Sequence, residues 1–206
     1  ACDEVVGSIR SGGGDATAIP CNISYKDQLK ALVTDTQKIY GKIDVLVCNA
    51  GVLNSYGGLE DETHHSQAIE AVFMTNVAGV FFTARSFLPH LVKKNSKSEE
   101  QFGTCGKIAI ISSIMGSQER AGSNAPIYRA SKAALNNVMV SLSEEFYSRN
   151  IMACSFHPGW VRTDMGGPNA HISTKESASS LIYNFEKLKF SDSGKFFNYD
   201  GSLINF

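Results

Sequence analysis

The stretch KIAIISSIMGSQERAGSNAPIYRASK, residues 107–132, decides how this sequence is read. Residues 107–113 form a short apolar run that ends in paired serines, the signature of a strand buried on both faces. A glycine-containing polar loop follows, and a helical pattern opens at about Tyr128 and continues to about Arg149. Residues 151–156 (IMACSF) are again a buried strand, closed by His157-Pro158-Gly159. Strand, helix and strand in this order make a βαβ unit with parallel strands and a right-handed crossover.

The same alternation extends in both directions. Residues 43–48 (IDVLVC) read as a strand buried on both faces and closed by Asn49-Ala50-Gly51. A polar loop over 52–62 precedes a long helical pattern over about 63–92, with a kink expected near Gly79 or Pro89. Residues 95–106 are polar and read as a loop. Upstream, residues 3–10 read as the end of a helix and 17–22 (TAIPCN) as a short strand. A helix over 24–40 follows, with Ser24 as its N-cap and Gly41 as its stop. Downstream, a helix over 175–188 leads to a last strand at 195–199.

The predicted fold is α/β, a Rossmann-like doubly wound parallel sheet in three α/β/α layers, forming one domain over 1–206. In such sheets ligands bind outside the carboxyl ends of the strands. Those ends carry Asn22, Asn49-Ala50-Gly51, Ser112-Ser113 and Pro158-Gly159.

Composition bounds the function classes. With 43% hydrophobic and 19% charged residues the chain is globular in character, and its net charge of -1 offers no electrostatic case for nucleic acid or an anionic membrane. No apolar run approaches the roughly 18–20 residues that span a bilayer, and residues 1–15 carry no secretory signal. The five cysteines are odd in number and none are spaced as CxxC, which argues against a disulfide framework or a zinc site. Cys48 and Cys154 read as small buried hydrophobes, and a reducing cytoplasm fits. The five histidines show no metal-ligand spacing, and only His157 falls near the expected site.

Tyr128 and Lys132 are four apart on a predicted helix and so share a face, about 5–6 Å apart at Cβ. Tyrosine titrates near pH 10 and is a poor acid at neutral pH; an adjacent ammonium is expected to lower that value. Tyr128 then suits proton donation to a carbonyl oxygen. A lone Tyr-x-x-x-Lys arises often by chance, as a packed ring and a solvated ammonium. Its position after a serine-ending strand and a glycine-rich loop gives it weight. Ser113, at that strand end, suits a hydrogen bond to developing oxyanion charge. Ser112 is its competitor, because alternation turns the two side chains to opposite faces. Asn76, mid-helix and a weak helix former, suits holding a local distortion or a water. Gly51 and Gly159 suit close backbone approach by a ligand.

Taken together these residues resemble the short-chain dehydrogenase/reductase family. Asn49-Ala50-Gly51 resembles its Asn-Ala-Gly strand end beside the cofactor, and Asn76 its helix asparagine in a proton relay. Ser113 resembles the catalytic serine, and Tyr128-Arg129-Ala130-Ser131-Lys132 the Tyr-x-x-x-Lys signature. Pro158-Gly159-Trp160-Val161-Arg162-Thr163 is similar to the Pro-Gly-x-Val-x-Thr segment beside the nicotinamide.

The resemblance implies catalytic roles for Asn76, Ser113, Tyr128 and Lys132. It implies cofactor contacts for Asn22, Ile23, Asn49, Ala50, Gly51, Tyr128, Lys132, Pro158, Gly159, Val161 and Thr163. The segments around Tyr128, His157-Pro158-Gly159-Trp160 and Thr163-Asp164-Met165-Gly166-Gly167 resemble the C-factor and Sniffer branch of carbonyl reductases. That branch implies NADP as cofactor, with NAD the alternative, an aldehyde or ketone substrate, and a homodimer.

The family's opening Gly-x-x-x-Gly-x-Gly turn is not found in the sequence, and Gly12-Gly13-Gly14 precedes a predicted strand instead of following one. Against the family the fold is N-terminally incomplete, without its first βαβ unit. The expected consequence is that 17–22 either pairs beside 43–48 or leaves a gap there. The competing reading is a non-catalytic signalling or interaction protein on the same fold.

Overall fold

The computed structural model describes residues 2–91 and 105–206. Helices α1 (Cys2–Ser11) and α2 (Lys26–Tyr40) precede strand β1 (Val45–Cys48). Helix α3 (Ser66–Phe73) continues through a π-helical turn at Met74–Gly79 into α4 (Val80–Phe87). Strand β2 (Gly106–Ile111), helix α5 (Pro126–Phe146), strand β3 (Ile151–His157), helix α6 (Thr174–Lys187) and strand β4 (Phe196–Asn198) complete the order. The strands form one parallel sheet, β1-β2-β3-β4, with Leu46 beside Ile108 and Ile108 beside Ala153.

Alternation along the strands sorts the side chains into two layers. Ile108 and Ile110 of β2, with Ile151 and Ala153 of β3, face Val80, Ala84 and Phe87 of α4 and Leu135, Met139 and Leu142 of α5. On the opposite face Ala109, Ile111, Met152, Cys154 and Phe156 pack against Leu181 and Phe185 of α6. Helices on both faces make the three-layer arrangement expected of a doubly wound sheet. Lys107 is buried on the α6 face, where its Nζ donates 2.8 Å to the Phe185 carbonyl at the end of that helix. The carbonyl end of a helix is its negative pole, so the position suits a cation. None of the five cysteines forms a disulfide, and Cys48 and Cys154 are buried with their thiols pushed up to about 12 by burial.

Several elements differ from expectation. Residues 17–22 form no strand, and β1 is the sheet edge. A strand needs a ladder partner, and Pro20 has no N–H to donate. The segment is held instead by side chains: the Tyr40 hydroxyl donates to Thr17 Oγ1 at 3.1 Å, and the Asn22 N–H donates to Gln28 Oε1 at 2.7 Å. The N-cap of α2 is Tyr25, not Ser24, and it makes no side-chain cap. β1 is buried on one face only: Leu46 and Cys48 join the α4–α5 core, while Val47 is 44% exposed because α6 covers β2 to β4 and stops short of it.

The long helix carries a π turn over Met74–Gly79, around Asn76, and tightens into a 3-10 turn at Leu88–His90, so its two distortions fall near Gly79 and Pro89, where the sequence set a kink. By length and composition the run Ser66–His90 is long and apolar enough to cross a membrane, contrary to the sequence expectation, because its polar residues are few but scattered. Val72, Asn76, Val80, Thr83, Ala84 and Phe87 along it are buried against the sheet and α5, so it is a core helix. Most of the expected loop over 95–106 lies outside the described residues. Helix α5 opens at Pro126 on a left-handed Ala125, and β2 ends at Ile111, leaving both serines just past it.

Candidate active site at the carboxyl edge of the sheet

Three strand ends converge on the first turns of α5. Past β2 the chain stays extended at Ser113, whose Oγ accepts from the Met115 N–H at 3.2 Å and so starts a tight turn. That turn brings Gly116 against the backbone of Lys132: a Cβ there would lie 2.7 Å from the Lys132 carbonyl carbon. The Ser113 hydroxyl lies close enough to the Tyr128 phenol to act on its ionisation. Ser112 points the other way, its hydroxyl reaching the Lys132 carbonyl at 3.4 Å, so the competition between the serines resolves to Ser113.

Lys132 is 3% exposed. Its Nζ donates to the Ile111 carbonyl at 2.9 Å and stands 5.6 Å from the centroid of the Tyr128 ring. Burial pulls its pKa down to about 8. Tyr128 departs from the expected direction. Its pKa is raised, first by burial; the neighbouring Ser113 hydroxyl works against that, and Tyr56 adds to it. The ammonium lies over the ring and is bonded to Ile111 instead of the phenol oxygen, so desolvation wins. Tyr128 is thus protonated at neutral pH, the form needed to give a proton away.

Asn76 is fully buried in the π turn. Its Oδ1 accepts from the Val52 N–H at 2.8 Å, and its Nδ2 donates to the Val52 carbonyl at 2.9 Å and to Ser131 Oγ at 3.0 Å. The Asn76 amide therefore holds the chain after β1 against α5 as a distortion-holding residue. Gly51 sits in the resulting contact: a Cβ there would meet Lys132 Nζ at 3.3 Å and Asn76 Oδ1 at 3.5 Å. Asn49 and Ala50, just before it, are exposed at the open edge.

At the end of β3, Pro158 accepts 2.6 Å from the Ser177 hydroxyl of α6. Gly159 has φ +84, and a Cβ there would lie 2.4 Å from Ile172 Cδ1. Val161 bridges Ile172, and Thr163 Oγ1 accepts from the Gly166 N–H at 3.0 Å. Asn22 bonds within its own turn, accepting from the Ser24 N–H at 3.0 Å, while Ile23 seats on the π turn, 2.6 Å from where a Gly79 Cβ would stand. The structure therefore brings Gly51, Asn76, Ser113, Tyr128 and Lys132 together, and sets 158–163 on the neighbouring strand end. His157, also there, is half-buried, with its Nδ1 unpartnered and burial holding it at about 4.

A cavity of about 370 Å³, lined by Gln37, Lys42, Pro89, His90 and Arg149 among others, opens at the opposite, amino end of the strands. Ligands of such sheets bind at the carboxyl ends, so it is separate from this site. Sequence reasoning missed Ser131 and Tyr56. Ser131 is the acceptor that joins the π turn to α5. The Tyr56 hydroxyl donates to the Met165 carbonyl at 2.8 Å across the site. Nothing local marks either one, since both partners are distant in sequence.

The buried Lys132 amine has three N–H donors, and Ile111 accepts one. The remaining donors, beside Gly51 and Tyr128, fit a hydroxyl-bearing ligand such as the ribose of a nicotinamide dinucleotide. A glycine-rich turn following a strand, suited to its pyrophosphate, is not found among the described residues.

Residues 1–172 match the family model described as short chain dehydrogenase. Among curated proteins, C-signal of Myxococcus xanthus is 33% identical over 165 residues, 80% of this chain and 93% of that relative. Trihydroxynaphthalene reductase PfmaI of Pestalotiopsis fici is 32% identical over 79% of this chain, but the match spans only 52% of that relative. Among solved structures, carbonyl reductase Sniffer of Drosophila melanogaster superposes with TM-score 0.85 at 31% identity, covering 99% of this chain and 83% of that one. An NADPH-bound carbonyl reductase from chicken fatty liver gives TM-score 0.84 at 25% identity, covering 98% and 82%.

Proposed function

The chain belongs to the short-chain dehydrogenase family, and on that premise we propose that it is an oxidoreductase transferring a hydride between NAD(P)H and an aldehyde or ketone. The observation that carries this is the Ser113–Tyr128–Lys132 convergence at the carboxyl edge of the sheet. When bound, the dinucleotide supplies the hydride. Tyr128, kept protonated by burial, donates its phenolic proton to the carbonyl oxygen. Ser113, beside that phenol, steadies the oxygen as charge develops on it. Lys132 holds a cation beneath the phenol and offers N–H groups to the dinucleotide. Asn76 keeps Gly51 and Val52 in place beside them. Asn49, Ala50, Gly51, Pro158, Gly159, Val161 and Thr163 line the nicotinamide side in this reading, and Asn22 with Ile23 the adenine side.

NADP is the proposed cofactor over NAD, with the NADPH-bound chicken enzyme as support. Residues 1–206 are proposed as one domain of the family without the glycine-rich turn of its first βαβ unit. A homodimer is proposed from the family resemblance, and a cytoplasmic location from five cysteines that form no disulfide.

Fluorescence titration of the full chain with NADPH tests this reading. Saturable binding is expected, weakened about tenfold or more in Lys132→Met, the scale of a lost charge-assisted hydrogen bond. Equal binding by wild type and variant would remove Lys132 from the cofactor site. A second reading, a signalling protein without catalysis, is favoured by the match over 93% of C-signal. It requires that biological activity survive Tyr128→Phe.

A further inference from the structure

The loop between β1 and α3 and the segment after β3 are far apart in sequence, yet Tyr56 joins them. Its phenol hydroxyl donates to the Met165 carbonyl at 2.8 Å. Its own carbonyl, and that of Gly57, accept from the Ala125 N–H at 3.2 and 3.0 Å. Ala125 is left-handed and leads directly into Pro126-Ile127-Tyr128, so Tyr56 is anchored at the mouth of the candidate site from below. Tyr56 is also among the groups that influence the Tyr128 phenol.

The segment that Tyr56 grips is a closed unit. Trp160 and Arg162 exchange backbone bonds with Ile172, Trp160 Nε1 donates to the Gly166 carbonyl at 2.7 Å, and the Gly167 N–H donates to the Thr163 carbonyl at 2.8 Å. Residue 166 must be glycine, since a Cβ there would lie 1.9 Å from the Val161 carbonyl oxygen. Residues 160–167 therefore form one internally bonded strap, with Tyr56 tying its tip across to the α5 side.

We propose that Tyr56 is a specificity-determining residue: with Met165 it fixes the height of the strap over Tyr128 and so limits the bulk of the carbonyl substrate. The rim carries apolar surface, with Tyr56, Trp160 and Met165 53%, 46% and 42% exposed. Arg162 directs its Nη1 to the Ala170 and His171 carbonyls, and the other charge on the strap, Asp164, is negative. The substrate class is thus an uncharged carbonyl on an apolar skeleton, not a carboxylated or phosphorylated one. The proposal rests on the reductase reading of the same site.

The test compares wild-type full chain, Tyr56→Phe and Tyr56→Ala, assayed with NADPH against acetone, benzaldehyde and acetylnaphthalene. Hydrogen exchange over residues 163–167 is followed in parallel. Tyr56→Phe keeps the ring and releases the strap. Faster exchange over 163–167 is expected, with the kcat/KM ratio of acetylnaphthalene to acetone rising about fivefold, the equivalent of one hydrogen bond. Tyr56→Ala also removes the ring wall and is expected to lower kcat/KM for benzaldehyde. An unchanged ratio in Tyr56→Phe overturns the proposal, and does so even if exchange quickens, since the bond is then structural only. A wild type that reduces none of the carbonyls overturns the reductase reading and the specificity proposal with it, an outcome distinct from an active enzyme with an unchanged ratio.

Discussion

Lys132 carries a charge in a place that resists it. Its ammonium is buried, has no carboxylate partner among the described residues, and donates to a strand-end carbonyl, so burial pulls it from 10.5 to about 8. Between those values the unfolded chain holds more protons than the folded one, so stability rises with pH across that window and is lowest below it. Lys132→Met keeps the length and removes the charge. It is expected to stabilise the fold near neutral pH by about 1–3 kcal/mol, with the gap closing as pH rises through the window. Urea midpoints of the two proteins at neutral and alkaline pH check this; a gap independent of pH would refute it. The pairing of Tyr128 with Lys132 was legible in the sequence because helical spacing alone puts them on one face. The direction of the Tyr128 shift was not. It depends on where the ammonium goes, and the Ile111 carbonyl that receives it belongs to another element.

At the scale of elements, the π turn is the joint of the site. Met74–Gly79 fits an extra residue into the helix, and the buried Asn76 amide fixes the result by bonds to Val52 and Ser131. Asn76→Ala would strand buried polar groups on both partners. A loss of about 2–3 kcal/mol is expected in chemical denaturation, against about 1 kcal/mol for Ser131→Ala, which removes one acceptor. Equal, small losses would mean that the turn does not depend on the amide. Asparagine in a helix pointed to a distortion, but its form was hidden, because Val52 and Ser131 lie far away in sequence. The core strands were legible from apolar runs, which report burial directly. The strand expected over 17–22 failed for the converse reason: propensity marks an extended segment, whereas a strand exists only where it pairs, and this segment is held by Tyr40 and Gln28 side chains instead of the free edge of β1. The exposed Val47 has the same origin, since an apolar run does not say how far a covering helix reaches.

Over the whole molecule, one rule places the chemistry. Parallel strands all end at the same edge, so residues from β1, β2 and β3 meet there without being neighbours in sequence. Ser113 and Gly51 follow two of those ends, and α5 carries Tyr128 and Lys132 across the gap. The α4–α5 layer and the α6 layer hold the strands so that these ends stay aligned. NADPH consumption by the full chain with an aldehyde and ketone panel, wild type against Tyr128→Phe, decides whether this edge is a reductase site. Turnover in the wild type, reduced about 100-fold or more in the variant with unchanged thermal stability, is the expected result for loss of the proton donor. Comparable turnover in both proteins would contradict it.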